Sequence, residues 1–277
     1  MSRISAETEV VRTKIWLETP QLDDPFSASK CYCYGYDVYG DLLHKASWTE
    51  YVFLMFSGEA PSPAQILLLD SLAVAIANPG IRDHSVRAAM NGGVGGSPNA
   101  ACLIAALSVG AGGLGGAHEV AAAMELWTRC GADLNEWKKR IQTPHDRQPI
   151  DTWPPIEHVP GFNPHGVSCP KPLLETLHHL ANCSPGEALP WLETNRANLE
   201  QITKCPLAMP GIAAAAFADL GFSSAQAEML YLIMRLPGAA VHALEQQRLG
   251  WRKYPFFKNG LHLENDPGPF RINQDSL

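Results

Sequence analysis

Eight apolar runs recur along this chain at the three-to-four-residue spacing of a helix, most of them bounded by a cap residue, glycine or proline. Trp48, Tyr51, Val52, Leu54 and Met55 form the first. Ser47 with Glu50 three residues on predicts a capping box there, and Gly58 a stop. Pro63–Ala77 repeats the pattern and ends at Asn78-Pro79-Gly80. Asn99–Val109, Ala117–Cys130, Pro172–Ala181, Pro210–Leu220, Ser223–Arg235 and Gly238–Leu249 complete the set. One pair of runs reads as strand, Glu9–Glu18 and Ser29–Val38, where Tyr32, Tyr34 and Tyr36 alternate. The expected fold class is therefore all-α with a small N-terminal β element.

The chain is 46% hydrophobic and 18% charged, enough apolar sequence for a sizeable core. Twenty-one Lys and Arg against 28 Asp and Glu give a formal charge of −7, which excludes a general nucleic-acid binder. No run reaches the length of a membrane span, and residues 1–10 lack the apolar core of a signal peptide, so a cytoplasmic location is expected. The seven cysteines (31, 33, 102, 130, 169, 183 and 205) show no CxxC spacing, so neither a metal site nor a disulfide framework is expected. Gln142–Pro170 is rich in proline and predicts a long ordered loop between helical blocks.

Four constellations carry chemistry. Gly110–Glu119 (GAGGLGGAHE) has Gly110, Gly112 and Gly115 at the spacing of a dinucleotide-binding turn, which requires a preceding strand. The run before it is Ala-rich and helical, so the better reading is a close meeting of two helices, with free amides at a helix start that attract phosphate or carboxylate. Asn91–Pro98 (NGGVGGSP) reads as a connector or an anion cradle. Val159–Lys171 holds His165 in a loop stiffened by proline and glycine, with Lys171 near enough to take a carboxylate. In Met234–Gln246, Arg235 stands where one helix is expected to end and the next to begin. Arginine grips carboxylates in a bidentate way. His242 and Glu245 share a face of the second helix.

Taken in order, these pieces resemble the citrate synthase superfamily, which includes the citryl-CoA lyases and the C-terminal module of ATP-citrate lyase. Residues 33–52 (CYGYDVYGDLLHKASWTEYV) are similar to the family's opening RGYDI.DL...SFEEV, and 56–61 (FSGEAP) to its L.GELP. Residues 113–119 (GLGGAHE) resemble LHGGANE, 160–165 (PGFNPH) resemble PGFGH, and 235–246 (RLPGAAVHALEQ) resemble R..G..AH..EQ. The short chain and the stretch Val241–Pro255 are nearest the citryl-CoA lyase branch.

The resemblance implies a two-domain helical fold, with a large domain from 1–115 and 223–277, a small domain from 116–222 and a cleft between them. It implies a homodimer. The chemistry is formation or cleavage of a carbon–carbon bond between an acyl-CoA such as acetyl-CoA and a keto acid such as oxaloacetate. No resident cofactor is implied; the coenzyme A thioester is a substrate. His165 matches the histidine that polarises the keto oxygen, and Arg235 matches a carboxylate-binding arginine. Arg252 or Lys253 matches a second such arginine, Lys171 stands for the arginine after DP, and His242 falls in the substrate-binding AH motif. Gly113, Gly115 and Gly116 fall in the segment expected to meet coenzyme A. Leu114 replaces a histidine, Asn78-Pro79 replaces a histidine-bearing ADH segment, and Leu207 stands where the family has its aspartate base. His118, Glu119, Asp83 and His84 are the substitute acid–base candidates. Three functions remain open: an enzyme of altered chemistry, a relative that binds the same ligands or regulates a partner without turnover, and a nucleotide-binding oxidoreductase resting on the glycine turn.

Overall fold

The computed structural model describes residues 12–143, 158–255 and 268–270. Residues 9–11 of the first expected strand and 144–157 of the expected long loop lie outside this set. Among the described residues the chain is almost entirely helical, with one small sheet. No described helix is long and apolar enough to cross a membrane.

The sheet is an antiparallel meander of β1 (Leu17–Pro20), β2 (Ala28–Cys33) and β3 (Tyr36–Asp37). The sequence predicted one strand over Ser29–Val38. Instead the chain reverses at Tyr34 and Gly35, both with positive φ (50° and 90°), so that Cys33 faces Tyr36. Positive φ at both central residues is what a tight two-residue hairpin needs. Five residues of π-helix (Val38–Leu42) and the short α1 (Leu43–Lys45) then lead into the bundle.

The helices begin where local chemistry allows. In α2 (Trp48–Ser57), both capping-box bonds between Ser47 and Glu50 form, and Gly58 closes the helix at φ 80°. Those bonds also hold the Glu50 carboxyl below its ordinary range. Ser62 and Gln65 box α3 (Pro63–Ile76) in the same way. The next helix was not predicted. Residues His84–Val94 form α4, capped by Asp83, and the glycines read as a connector lie at its end. Those glycines allow close packing: a Cβ on Gly92 would lie 3.0 Å from Cys102 Sγ, and one on Gly93 2.6 Å from the Ala243 carbonyl. Helix propensity is given up for helix-to-helix contact.

Next come α5 (Asn99–Gly110), α6 (Ala117–Cys130) and α7 (Leu134–Gln142). The segment 111–116 joins two helices, and the strand required by a dinucleotide-binding turn is absent among the described residues. After the loop come α8 (Lys171–Cys183), α9 (Ala188–Thr203), α10 (Met209–Asp219) and α11 (Ser224–Leu249). Helices α7 and α9 were also unpredicted.

Helix α11 corrects a further expectation, since it runs unbroken through Pro237. Proline brings no N–H to the ladder, and the Gly238 N–H turns outward to the Ala77 carbonyl at 2.8 Å. That bond caps the C-terminal end of α3. A Cβ on Gly238 would sit 2.5 Å from the same oxygen, so glycine permits the contact. The apparent break is thus a docking point between α3 and α11.

The core falls into two clusters. The larger gathers α2, α3, α6 to α11 and a triad of indoles, Trp127, Trp137 and Trp191, with ring centroids 5.1–6.1 Å apart. The smaller joins α4, α5 and the second half of α11 through Val86, Met90, Cys102, Ala106 and Ala239. Helix α10 is spent inside the protomer, with Pro210–Phe217 all buried. Helix α5 leaves Ile104 and Val109 exposed.

Candidate functional site

A cleft of about 710 Å³ opens between the C-terminal end of α3, the N-terminal end of α4, the 111–116 turn, the 158–170 loop, the 206–210 segment and α11. Its walls include Gly115, Glu119, His165 and Arg235 from the sequence-predicted set, together with Asp83 and His84. Leu114 and Leu207, the two apolar replacements, line it as well. Five separate stretches of sequence therefore converge.

The backbone of Gly115 is held from both sides. Its N–H donates to Glu119 Oε2 at 2.5 Å, and its carbonyl accepts from Arg235 Nη1 at 3.0 Å. Gly115 itself sits at φ 73°, and a Cβ on Gly116 would lie 2.6 Å from the Gly110 carbonyl. Both positions thus need glycine. The other oxygen of Glu119 accepts from the Gly161 N–H at 2.8 Å and lies 3.2 Å from His158 Nε2. Glu119 is only 2% exposed, so this carboxylate works as a buried tie between turn and loop.

Arg235, 6% exposed, pairs its Nη2 with Asp83 Oδ2 and stacks over the Tyr231 ring at 4.8 Å. The second oxygen of Asp83 caps α4, accepting from Ser85 N at 2.9 Å and Val86 N at 3.3 Å. Tyr231 lines the cleft, and burial pushes its phenol up to about 12, with Asp83 and Glu119 adding to the rise and Arg235 opposing it. It is therefore a neutral hydroxyl at physiological pH, and it makes no hydrogen bond among the described residues.

The loop that carries His165 is stitched to the segment before α10. Asn163 N–H donates to the Pro206 carbonyl at 2.8 Å, and Ala208 N–H to the Gly161 carbonyl at 2.9 Å. Phe162 and Leu207 form an isolated antiparallel bridge. Gly161 and Gly211 meet so closely that a Cβ on Gly161 would lie 2.8 Å from Gly211 Cα. His165 is turned by its N–H bond to Asn163 Oδ1 at 2.9 Å, and its exposed imidazole makes no hydrogen bond among the described residues. Leu207 is buried, with its N–H held by Glu200 at 3.0 Å.

The remaining predicted residues lie off the cleft wall. His118 is 71% exposed and stands 3.9 Å from Glu228. Lys171 opens α8 and pairs with Glu175 at 3.4 Å, 85% exposed. His242 sits one layer behind, its Nε2 3.1 Å from Oδ1 of the cleft residue Asn78. Arg252 and Lys253 are exposed in the 3₁₀ turn Trp251–Lys253, with Arg252 over the Trp251 ring at 5.8 Å. Gly113 is exposed in the glycine turn. Two polar cleft residues were missed from the sequence, Arg82 and Tyr231. Tyr231 was legible in principle, because it lies four residues before Arg235 on the same helix face.

No protein-family model matches the chain, and no curated protein matches it. Solved structures do. The citryl-CoA lyase of Hydrogenobacter thermophilus aligns with a TM-score of 0.66 at 18% identity, over 95% of this chain and 97% of that one. The ATP citrate lyase of Methanothrix soehngenii, in complex with citrate and coenzyme A, aligns with a TM-score of 0.66 at 16% identity. A variant of the Methanosaeta concilii ATP citrate lyase, in complex with (3S)-citryl-CoA, aligns with a TM-score of 0.65 at 15% identity. Both alignments cover 93% of this chain and 42% of the ATP citrate lyase chain, so the present chain spans less than half of those proteins. The likeness shows the fold: the chain has the citrate synthase-like all-α architecture.

The buried phenol predicts a pH dependence. Because its pKa is raised, the folded protein keeps a proton that the unfolded chain gives up between about pH 10 and the folded value of about 12. The stabilising term is complete below about pH 10 and is lost as pH rises through that window. Between pH 9 and 11 in urea unfolding, the wild type should lose about 1 kcal/mol more than Tyr231→Phe. Equal losses contradict a buried neutral phenol.

Proposed function

We propose that this cleft takes a coenzyme A thioester beside a keto acid and makes or cleaves the carbon–carbon bond between them, in the manner of a citryl-CoA lyase. Acetyl-CoA and oxaloacetate are the pair that the resemblance implies. One observation carries the reading: the glycine turn at Gly115, the loop imidazole of His165 and the Arg235 junction all line one cleft. They do so on a fold shared with proteins whose structures hold citrate, coenzyme A or citryl-CoA.

In the cleavage direction, His165 accepts the hydroxyl proton of the citryl-type substrate. The carbon–carbon bond breaks, its electron pair passes to the thioester as an enolate, and a proton is added to that carbon. A carboxylate does this last job in the family, and among the described residues lining the cleft none is free. Leu207 is apolar, Asp83 holds Arg235, and Glu119 holds two amides. His84 is the proton-handling group left in the cleft beside His165, and it makes no hydrogen bond among the described residues. The N–H of Gly115 is already spent on Glu119, and Gly116 is buried off the cleft wall, so contact with coenzyme A falls to the exposed Gly113.

A second reading is favoured by the same engaged carboxylates, namely a relative that binds these ligands without turning them over. Thiol release from citryl-CoA, and from acetyl-CoA with a series of 2-oxo acids, separates the two. The enzyme reading expects release, lowered about 10²–10⁴-fold by His165→Ala. Saturable coenzyme A binding with no release supports the second reading. Neither release nor binding removes both, and unchanged release in His165→Ala refutes the site.

The chain acts as a homodimer in this proposal. Ile104 and Val109 on α5, with Met229, Ile233, Val241 and Leu244 on α11, are large apolar residues left exposed on helices that pack together. Large apolar residues exposed together on neighbouring helices suit an interface, and a second copy is the occupant implied by the resemblance. Sedimentation should give twice the 30.1 kDa chain mass; a single-chain mass at micromolar concentration contradicts it.

A further inference from the structure

A substrate carboxylate entering this cleft meets an arginine that already has a carboxylate. Asp83 Oδ2 sits on Arg235 Nη2, and Arg235 Nη1 is occupied by the Gly115 carbonyl. Asp83 is not a loose neighbour, because Oδ1 accepts from Ser85 N, Val86 N and the Ser85 hydroxyl at the first turn of α4. Moving it off Arg235 would uncap that helix. The pair is also largely buried, with side-chain exposures of 7% and 18%.

The rest of the wall leaves little for a polyanion. Ile76, Leu114, Phe162, Leu173, Leu207 and Met209 make most of it apolar. Among the described residues lining the cleft, Arg82 is the arginine that holds no carboxylate. Each substrate carboxylate brought against such a wall without a cation keeps its desolvation penalty uncompensated.

We propose that Asp83 stands where a substrate carboxylate would otherwise dock on Arg235, so that the cleft selects a monocarboxylic acid with an apolar body, anchored by Arg82, over a di- or tricarboxylate. Asp83 is then the specificity-determining residue. The inference rests on the functional reading above and narrows its acid partner.

Calorimetric titration of the full chain tests it, with coenzyme A first and then, at saturating coenzyme A, 2-oxohexanoate and citrate as probes. The wild type should bind 2-oxohexanoate at least tenfold more tightly than citrate. Asp83→Asn keeps a good helix cap and removes the charge, so it should gain at least tenfold for citrate while changing less than threefold for 2-oxohexanoate. Asp83→Ser, which also retains a capping oxygen, should give the same gain if the asparagine variant fails to fold. Arg82→Gln should weaken 2-oxohexanoate at least tenfold and leave coenzyme A binding in place. A wild type that prefers citrate, a citrate affinity unmoved in both Asp83 variants, or coenzyme A binding with no affinity for either acid overturns the inference alone. Absence of coenzyme A binding removes the functional reading beneath it.

Discussion

A single residue, Gly115, is gripped by two buried charges of opposite sign. Glu119 takes its N–H and Arg235 gives to its carbonyl. Neither charge would survive burial without such partners, since the cost of leaving water is recovered only through full hydrogen bonding. Each therefore collects more. Glu119 also takes the Gly161 amide and faces His158, and Arg235 also holds Asp83 and lies over Tyr231. Five stretches of chain thereby become one rigid floor. The glycine turn, the loop of His165, the cap of α4, the start of α6 and the middle of α11 meet there.

The same economy shapes the chemistry. Carboxylates that build the floor are not free to move protons, and the position where the sequence resemblance would place an aspartate is a buried leucine with its own N–H tied to Glu200. What remains along the cleft is two exposed imidazoles, one neutral phenol and Arg82. That inventory fits proton transfer run through histidine, or ligand binding alone. It fits poorly with a site built to abstract a methyl proton by carboxylate.

Much of the fold is legible locally, because several helices carry their own start signals. Ser47 with Glu50 opens α2, and Ser223 with Gln226 opens α11. Of the helices missed from sequence, α4 and α7 do carry a capping aspartate (Asp83 and Asp133), but α9 lacks that independence. The first turn of α9 is capped by Asp219, some thirty residues away, through Ala188 and Leu189 amides at 2.7 and 2.9 Å. The glycines of α4 advertise a loop, yet serve contacts with α5 and α11 that only the assembled bundle supplies. Pro237 misled for a related reason, since its helix continues by lending the Gly238 N–H to α3. In the site, collinear motifs brought His165, Arg235, Glu119 and Gly115 to one cleft. They could not show that Asp83 would occupy Arg235, because that pairing spans 152 residues and belongs to tertiary structure.

Amide hydrogen exchange in Glu119→Gln tests the floor most directly. An amide side chain has one oxygen where the carboxylate has two, so the Gly115 and Gly161 N–H groups can no longer both be accepted. Loss of a hydrogen bond to a charged group corresponds to roughly 1.5–3 kcal/mol, or about ten- to a hundredfold in local opening. At least one of these two amides should exchange at least tenfold faster, while amides in the middle of α9 keep their protection. Unchanged protection at both glycines would contradict the account.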